Sequence, residues 1–178
     1  MHQRIWRAIL YVAIALAIGL GAWQAVREER LARPLAPGTP APPLSGLTRE
    51  GRPFELAELR GQVVILSFWA SWCGPCQREL PMLLALEQAY AARGVRLVSV
   101  NLDAPHEREE AIRRFFAELG ARPPLVVYVA DETVHAFRAL RLPTLYLLSA
   151  EGTVVAGHTD LQDEKVLRAE IEAALQRP

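Results

Sequence analysis

The chain lacks any lysine- and arginine-rich run, any acidic tail and any internal repeat. With a formal net charge of zero and no basic face interleaved with aromatics, binding to nucleic acid is excluded. Cysteine is missing too, apart from one pair: Cys73 and Cys76 are the 2 cysteines of 178 residues. Structural zinc needs four ligands, commonly two such pairs or one pair with closely spaced histidines, whereas His106, His135 and His158 stand alone. Structural zinc is therefore excluded, and these histidines are assigned no role.

What is present is one ordinary globular domain with something extra at the start, as 51% hydrophobic and 22% charged residues imply. From Ala8 to Val26 no residue is charged. A helix of that length is roughly 28 Å long, close to the hydrocarbon thickness of a bilayer. Trp6 and Trp23 lie near its two ends, with Arg4 and Arg7 before and Arg27, Arg30 and Arg33 after, as at membrane interfaces. Residues 1–27 therefore read as one N-terminal transmembrane helix. A signal peptide cleaved near Ala17-Ile18-Gly19 is the alternative. Pro34, Pro37, Pro40, Pro42 and Pro43 then make residues 28–43 a stiff linker, and the folded domain is expected over 44–178.

Within that domain "LSGLTREGRPFELAELRGQ" reads as a hairpin turning at Arg49-Glu50-Gly51. "VVILSFWA", Val63 to Ala70, is a continuous apolar run of strand length, typical of a central strand covered on both faces. Gln77 to Arg93 has helical spacing and stops at Gly94. "VRLVSVNL", "PLVVYVA" and "TLYLLS" read as further strands. "HEREEAIRRFFAELG" is a helix started by Pro105 and stopped by Gly120, and "DETVHAFRAL" is a short helix with Asp131 as its N-cap. A turn at Glu151-Gly152 leads to the strand "TVVAGHT" and a closing amphipathic helix. The order predicts an α/β fold: a central mixed sheet flanked by helices on both faces, parallel in its first half and antiparallel in its last hairpin.

A disulfide between Cys73 and Cys76 closes too small a loop to constrain the unfolded chain much. Position favours chemistry over a pair of inert thiols, because a central strand runs straight into Trp72-Cys73-Gly74-Pro75-Cys76 and then a helix. Cys73 falls at the helix N-terminus, where unpaired N–H groups and the dipole stabilise a thiolate; it is the expected attacking sulfur. Cys76, one turn in, is expected to be more buried and to resolve the mixed disulfide. Gly74 and Pro75 form the active-site turn, Pro75 occupying a first-turn position that needs no N–H.

"FWASWCGPC" resembles the thioredoxin active site. Over about Leu44 to Gln176, including "LRGQVVILSFWASWCGPCQRELP" and "LPTLYLLSAEGTVV", the chain resembles the membrane-anchored TlpA/ResA-like thiol-disulfide oxidoreductases. The resemblance implies a thioredoxin fold with an N-terminal β-hairpin and a central βα insertion. It implies that Pro143 follows a cis peptide bond and lies against the cysteines, and that Leu142 presents its backbone to substrate, with Trp72 also at the binding face. Glu79 matches the acidic residue of the family's "ExP" signature, and Pro81 its structural proline. Glu79 lies three residues after Cys76, on the same helical face, where burial would raise its pKa and suit it to accept the proton of Cys76. Two positions depart from ordinary thioredoxins: Ser67 replaces a buried Asp, leaving proton acceptance to Glu79 or water, and Gln77 replaces a Lys. "FRALRLPT" lacks the glycines and the acidic residue of dedicated cytochrome c maturation thioredoxins.

The expected activity is reduction of protein disulfides outside the bacterial cytoplasmic membrane, on the periplasmic side, with no cofactor beyond the Cys73–Cys76 couple. The resemblance implies a transmembrane thiol electron donor and, as oxidised protein substrate, apocytochrome c or a copper-site assembly protein. Two readings stand beside it. Soft thiolates also suit a Cu(I)-handling protein, whose marker is a nearby Met or His, and the only Met besides Met1 is Met82. A thiol peroxidase needs one low-pKa cysteine in a peroxide pocket, and the clustered pair argues against it.

Overall fold

The computed structural model describes residues 7, 14, 16–24 and 33–176. The chain divides into two compact units, Met1–Arg33 and Pro34–Pro178. In the first, residues 16–24 are helical with exposed side chains. Among the described residues no helix is long and apolar enough to cross a membrane. The rest of the expected anchor over 1–27, with Arg4, Trp6 and Arg27, lies outside them.

The second unit is built on a seven-stranded sheet. Strands β1 (Ser45–Thr48) and β2 (Pro53–Glu55) form the expected hairpin. A 3-10 turn (Leu56–Leu59) leads to β3 (Val63–Trp69), helix α1 (Gly74–Tyr90), β4 (Val95–Asn101), α2 (Arg108–Leu119) and β5 (Leu125–Val129). Then follow α3 (Asp131–Ala136), β6 (Thr144–Leu148), β7 (Val154–His158) and α4 (Glu164–Leu175). The strand order is β2-β1-β5-β4-β3-β6-β7. β3, β4 and β5 run parallel, and β6, β7 and the first hairpin are antiparallel to their neighbours.

β3 is buried at every position because both of its faces are covered. Val63, Ile65 and Trp69 point to one side, into a core with Cys73, Cys76, Leu80, Leu83 and Leu86, closed by Phe116 of α2 and Ile171 of α4. Val64, Leu66 and Phe68 point to the other, against Phe137, Ala139, Leu56 and Leu35. Helices α1, α2 and α4 thus share one face, while the short α3 and the 3-10 turn serve the second.

Helix α1 starts at Gly74 with Cys73 as its N-cap, in keeping with the expected place of Cys73 at the helix N-terminus. Two local boundaries differ from expectation. Asp131 is the first residue of α3 rather than its cap; Ala130 takes the cap position, and the Asp131 carboxylate acts on the first turn through the dipole alone. Pro105 sits in the turn before α2, which begins at Arg108 and ends, as expected, at left-handed Gly120 (φ 65°).

The proline-rich stretch is the larger correction: its second half is part of the fold. Leu35 is buried, and its N–H donates to the Tyr146 hydroxyl at 3.0 Å, which in turn donates to the Phe137 carbonyl at 2.6 Å. Gly38 N–H bonds the Val154 carbonyl, Val154 N–H bonds the Thr39 carbonyl, and Ala41 N–H bonds the Gly152 carbonyl. Pro40 pairs antiparallel with Thr153. The folded unit therefore begins at Pro34, not Leu44, because the edge of β7 offers backbone partners that an extended, proline-rich chain can meet.

Candidate active site

Cys73 and Cys76 are joined by a disulfide with an S–S distance of 2.07 Å. The pair sits where the buried run of β3 ends and α1 begins, so the strand delivers the cysteines and the helix orients them. Cys73 caps the helix in extended conformation, and its Sγ accepts the N–H of Cys76 at 3.3 Å. Proline falls in the first turn of α1, where the N–H groups have no intrahelical acceptor. Cys73 is 5% exposed and Cys76 1%, so Cys73 is the more accessible sulfur. Trp72, beside it, is 71% exposed.

The Leu142–Pro143 peptide bond is cis, as the resemblance implied. Thr144, the first residue of β6, pairs with Phe68 of β3, which brings Pro143 to the end of β3 where the cysteine loop departs. The Thr144 hydroxyl donates to the Arg141 carbonyl at 2.6 Å and closes this turn. Leu142 is half-buried and packs against both cores.

Glu79 lies one helical turn beyond Cys76 and is 1% exposed. Desolvation by burial pushes its pKa up to about 7, and a hydrogen bond from the backbone N–H of Gln162 opposes that rise. Its Oε1 has no hydrogen-bond partner among the described residues. A carboxyl with a pKa near neutrality, on the buried flank of the helix that carries both sulfurs, can hold or release a proton at physiological pH. Ser67 is buried on the same face of β3 as Ile65 and Trp69, so no carboxylate stands at its position. Gln77 is exposed and donates to the Ser71 carbonyl.

The fold thus gathers the expected site residues from two places: Trp72, Cys73, Gly74, Pro75, Cys76 and Glu79 along one strand-to-helix passage, and Leu142 and Pro143 from the start of β6. The sequence reading missed Gln162, which reaches Glu79 from the loop before α4, and the pair Asn101 and Asp103 at the end of β4. No local signal marked the pair, since Asp103 lies beyond β4 and the strand already carries the polar Arg96 and Ser99. Trp69 packs against Phe115 and Phe116 of α2 at ring-centroid distances of 5.4 and 6.0 Å, which docks the inserted helix beside the site. Among the described residues, no three His, Cys, Asp or Glu side chains are grouped to share a metal ion.

The model of the AhpC/TSA family matches residues 37–156. The chain is 33% identical over 153 residues to the thiol-disulfide oxidoreductase ResA of Geobacillus kaustophilus, covering 86% of this chain and 85% of the relative. It is 28% identical over 172 residues to the ResA of Geobacillus thermodenitrificans, covering 97% and 96%. A crystal structure from Chlorobium tepidum, described as a DsbE thiol:disulfide interchange protein, superposes with a TM-score of 0.70 at 31% identity, over 79% of this chain and 99% of that one. With a cysteine pair at the head of α1 and this likeness along most of its length, the chain belongs to the AhpC/TSA family and, within it, to the ResA-like thiol-disulfide oxidoreductases.

Proposed function

We propose that the protein is a membrane-anchored, extracytoplasmic reductase of protein disulfides. The observation that carries this reading is Glu79, a buried carboxyl with a pKa near 7 one turn from Cys76. A reductase must turn its buried second cysteine into a nucleophile once substrate is attached, and that requires a local proton acceptor. In the reduced protein the Cys73 thiolate attacks one sulfur of a substrate disulfide. The substrate S–S bond breaks, its other sulfur leaves as a thiolate, and a mixed disulfide forms on Cys73. Glu79 takes the proton of the Cys76 thiol. The Cys76 thiolate then attacks Cys73 Sγ, the mixed disulfide breaks, and the second substrate sulfur departs reduced. Two electrons have moved to the substrate, leaving the Cys73–Cys76 disulfide seen here. Trp72 and the backbone of Leu142 before Pro143 form the face on which the substrate chain lies.

The cycle restarts when a dithiol reduces that disulfide, and no cofactor beyond the cysteine couple takes part. The uncharged run Ala8–Val26 supports an anchor in the cytoplasmic membrane, which places a transmembrane thiol carrier within reach as donor. The family resemblance supports the oxidised cysteines of apocytochrome c, or those of a copper-site assembly protein, as substrate.

The test is the reduction potential of the couple, titrated against thiol-disulfide buffers. A value below about −220 mV, towards the thioredoxin value of about −270 mV, is expected. A value near the strong-oxidant end, about −120 mV, overturns the proposed direction.

A further inference from the structure

Between the end of β3 and the cap at Cys73 the chain turns sharply, and the residue adjoining the cysteine, Trp72, projects into solvent. The fixed point of this passage is Ser71. Its N–H donates to both carboxylate oxygens of Asp103, at 3.0 and 3.1 Å, and its hydroxyl donates to Asp103 Oδ1 at 2.9 Å. Its carbonyl accepts from Gln77 Nε2 at 2.5 Å, so the same residue is gripped from the helix side. Asp103 is held in turn: Asn101 Nδ2 donates to its Oδ2 at 2.8 Å, and its own N–H donates to Asn101 Oδ1 at 3.1 Å. Asp103 is 7% and Asn101 4% exposed.

Among the described residues these contacts to the carboxylate are made by neutral donors, and no cation pairs with it.

We infer that Asp103 is a positioning residue for thiol exchange: acting through Ser71, it sets the angle at which the chain enters α1 and so keeps Cys73 Sγ on the end of the helix, where the N–H of Cys76 and the dipole stabilise its thiolate. The inference rests on the reading of Cys73 as the attacking sulfur. Position and charge have opposite signs at this site. Loss of position takes Cys73 off the cap and raises its pKa, whereas loss of a neighbouring negative charge alone lowers it.

The experiment is alkylation of the reduced full-length chain in detergent by iodoacetamide across pH, in a Cys76→Ser background where Cys73 is the only thiol. Asp103→Ala is expected to raise the apparent pKa of Cys73 by about one unit and to slow alkylation at neutral pH about tenfold. The exchanged pair Asn101→Asp with Asp103→Asn keeps the Ser71 N–H and hydroxyl bonds to Oδ1 and reverses the direction of the side-chain bond between 101 and 103, giving up only the second, longer Ser71 N–H contact, and is expected to restore the parent profile. An unchanged or lowered pKa in Asp103→Ala, with cooperative thermal unfolding retained, overturns the inference. If Asp103→Ala does not fold, Ser71→Ala removes only the hydroxyl bond. It is expected to shift the pKa in the same direction, with about a twofold loss of rate, and no shift in that variant overturns the inference equally. A parent protein whose Cys73 titrates near the ordinary thiol value of about 8.5 removes the reading of Cys73 as an activated thiolate, and this inference with it. An activated parent with an indifferent Asp103 removes the inference alone.

Discussion

Glu79→Gln probes the buried carboxyl through stability as well as rate. In the folded protein Glu79 binds its proton with a pKa raised from an ordinary 4.5 to about 7, because burial penalises the charged form. Between those values the native state holds a proton that the unfolded chain has released. Stability therefore falls as pH rises from about 4.5 through 7 and is level above that. At about 1.36 kcal/mol per pKa unit, the loss attributable to this one group is about 3 kcal/mol. Glutamine keeps the shape and an acceptor for the Gln162 N–H but cannot ionise. Its own fixed cost is the same at every pH. Urea unfolding of the oxidised Pro34–Pro178 unit at pH 5, 6, 7 and 8, for wild type and variant, isolates the effect in the difference between the two curves. The variant is expected to gain about 2.5 kcal/mol relative to wild type between pH 5 and pH 8, the first part of the loss having already occurred below pH 5, with unchanged m-values. A difference that varies by less than about 1 kcal/mol refutes the argument that Glu79 is ionised at a cost, and with it the case for Glu79 as a proton acceptor tuned to neutral pH.

Cys76→Ser should trap a mixed disulfide with an oxidised peptide on Cys73, read by mass spectrometry without reductant, while Cys73→Ser should trap none; equal trapping by both contradicts the assignment of attacking and resolving sulfurs. Gly46→Ala sets a Cβ 2.2 Å from the Tyr128 carbonyl oxygen in the β1–β5 pair, and a loss of about 3 kcal/mol is expected in thermal or urea unfolding; a loss under about 1 kcal/mol shows that the strands separate freely. Tyr146→Phe strands the Leu35 N–H and the Phe137 carbonyl, at a cost of about 1–3 kcal/mol by urea titration, and no loss means that the Leu35–Tyr146–Phe137 hydrogen-bond chain contributes nothing to stability.

Sequence alone carried the cysteine chemistry because its determinants are local. An apolar strand, a capped helix start and a carboxylate three residues after Cys76 all lie within one passage of chain. The packing of Pro34–Pro43 was not legible, since prolines give no periodicity and the partner that fixes Leu35, Tyr146, is 111 residues away. Asp103 was invisible for the same reason. Its contact with Ser71 spans 32 residues, and nothing in "VNLDAP" distinguishes a clasp from an ordinary loop. Asp131 was misplaced by one position because an acidic residue suits a first helical turn as well as a cap. The burial of Glu79 followed from helical spacing, but the amide of Gln162 that tempers its proton affinity arrives from a loop that no local pattern connects to α1.

The segment that runs beside β7 also decides where the sheet stops. An uncovered strand is a template on which another chain can add itself, and β7 with the turn before it would present the Val154 N–H and the carbonyls of Gly152 and Val154 to any extended neighbour. Residues 38–41 take those groups first, and Pro37, Pro40, Pro42 and Pro43 have no N–H with which to recruit a further strand in turn. A fragment cut at Leu44 keeps the cysteine site and loses this terminator, so it is expected to self-associate laterally where one cut at Pro34 stays monomeric, which sedimentation of the two fragments checks.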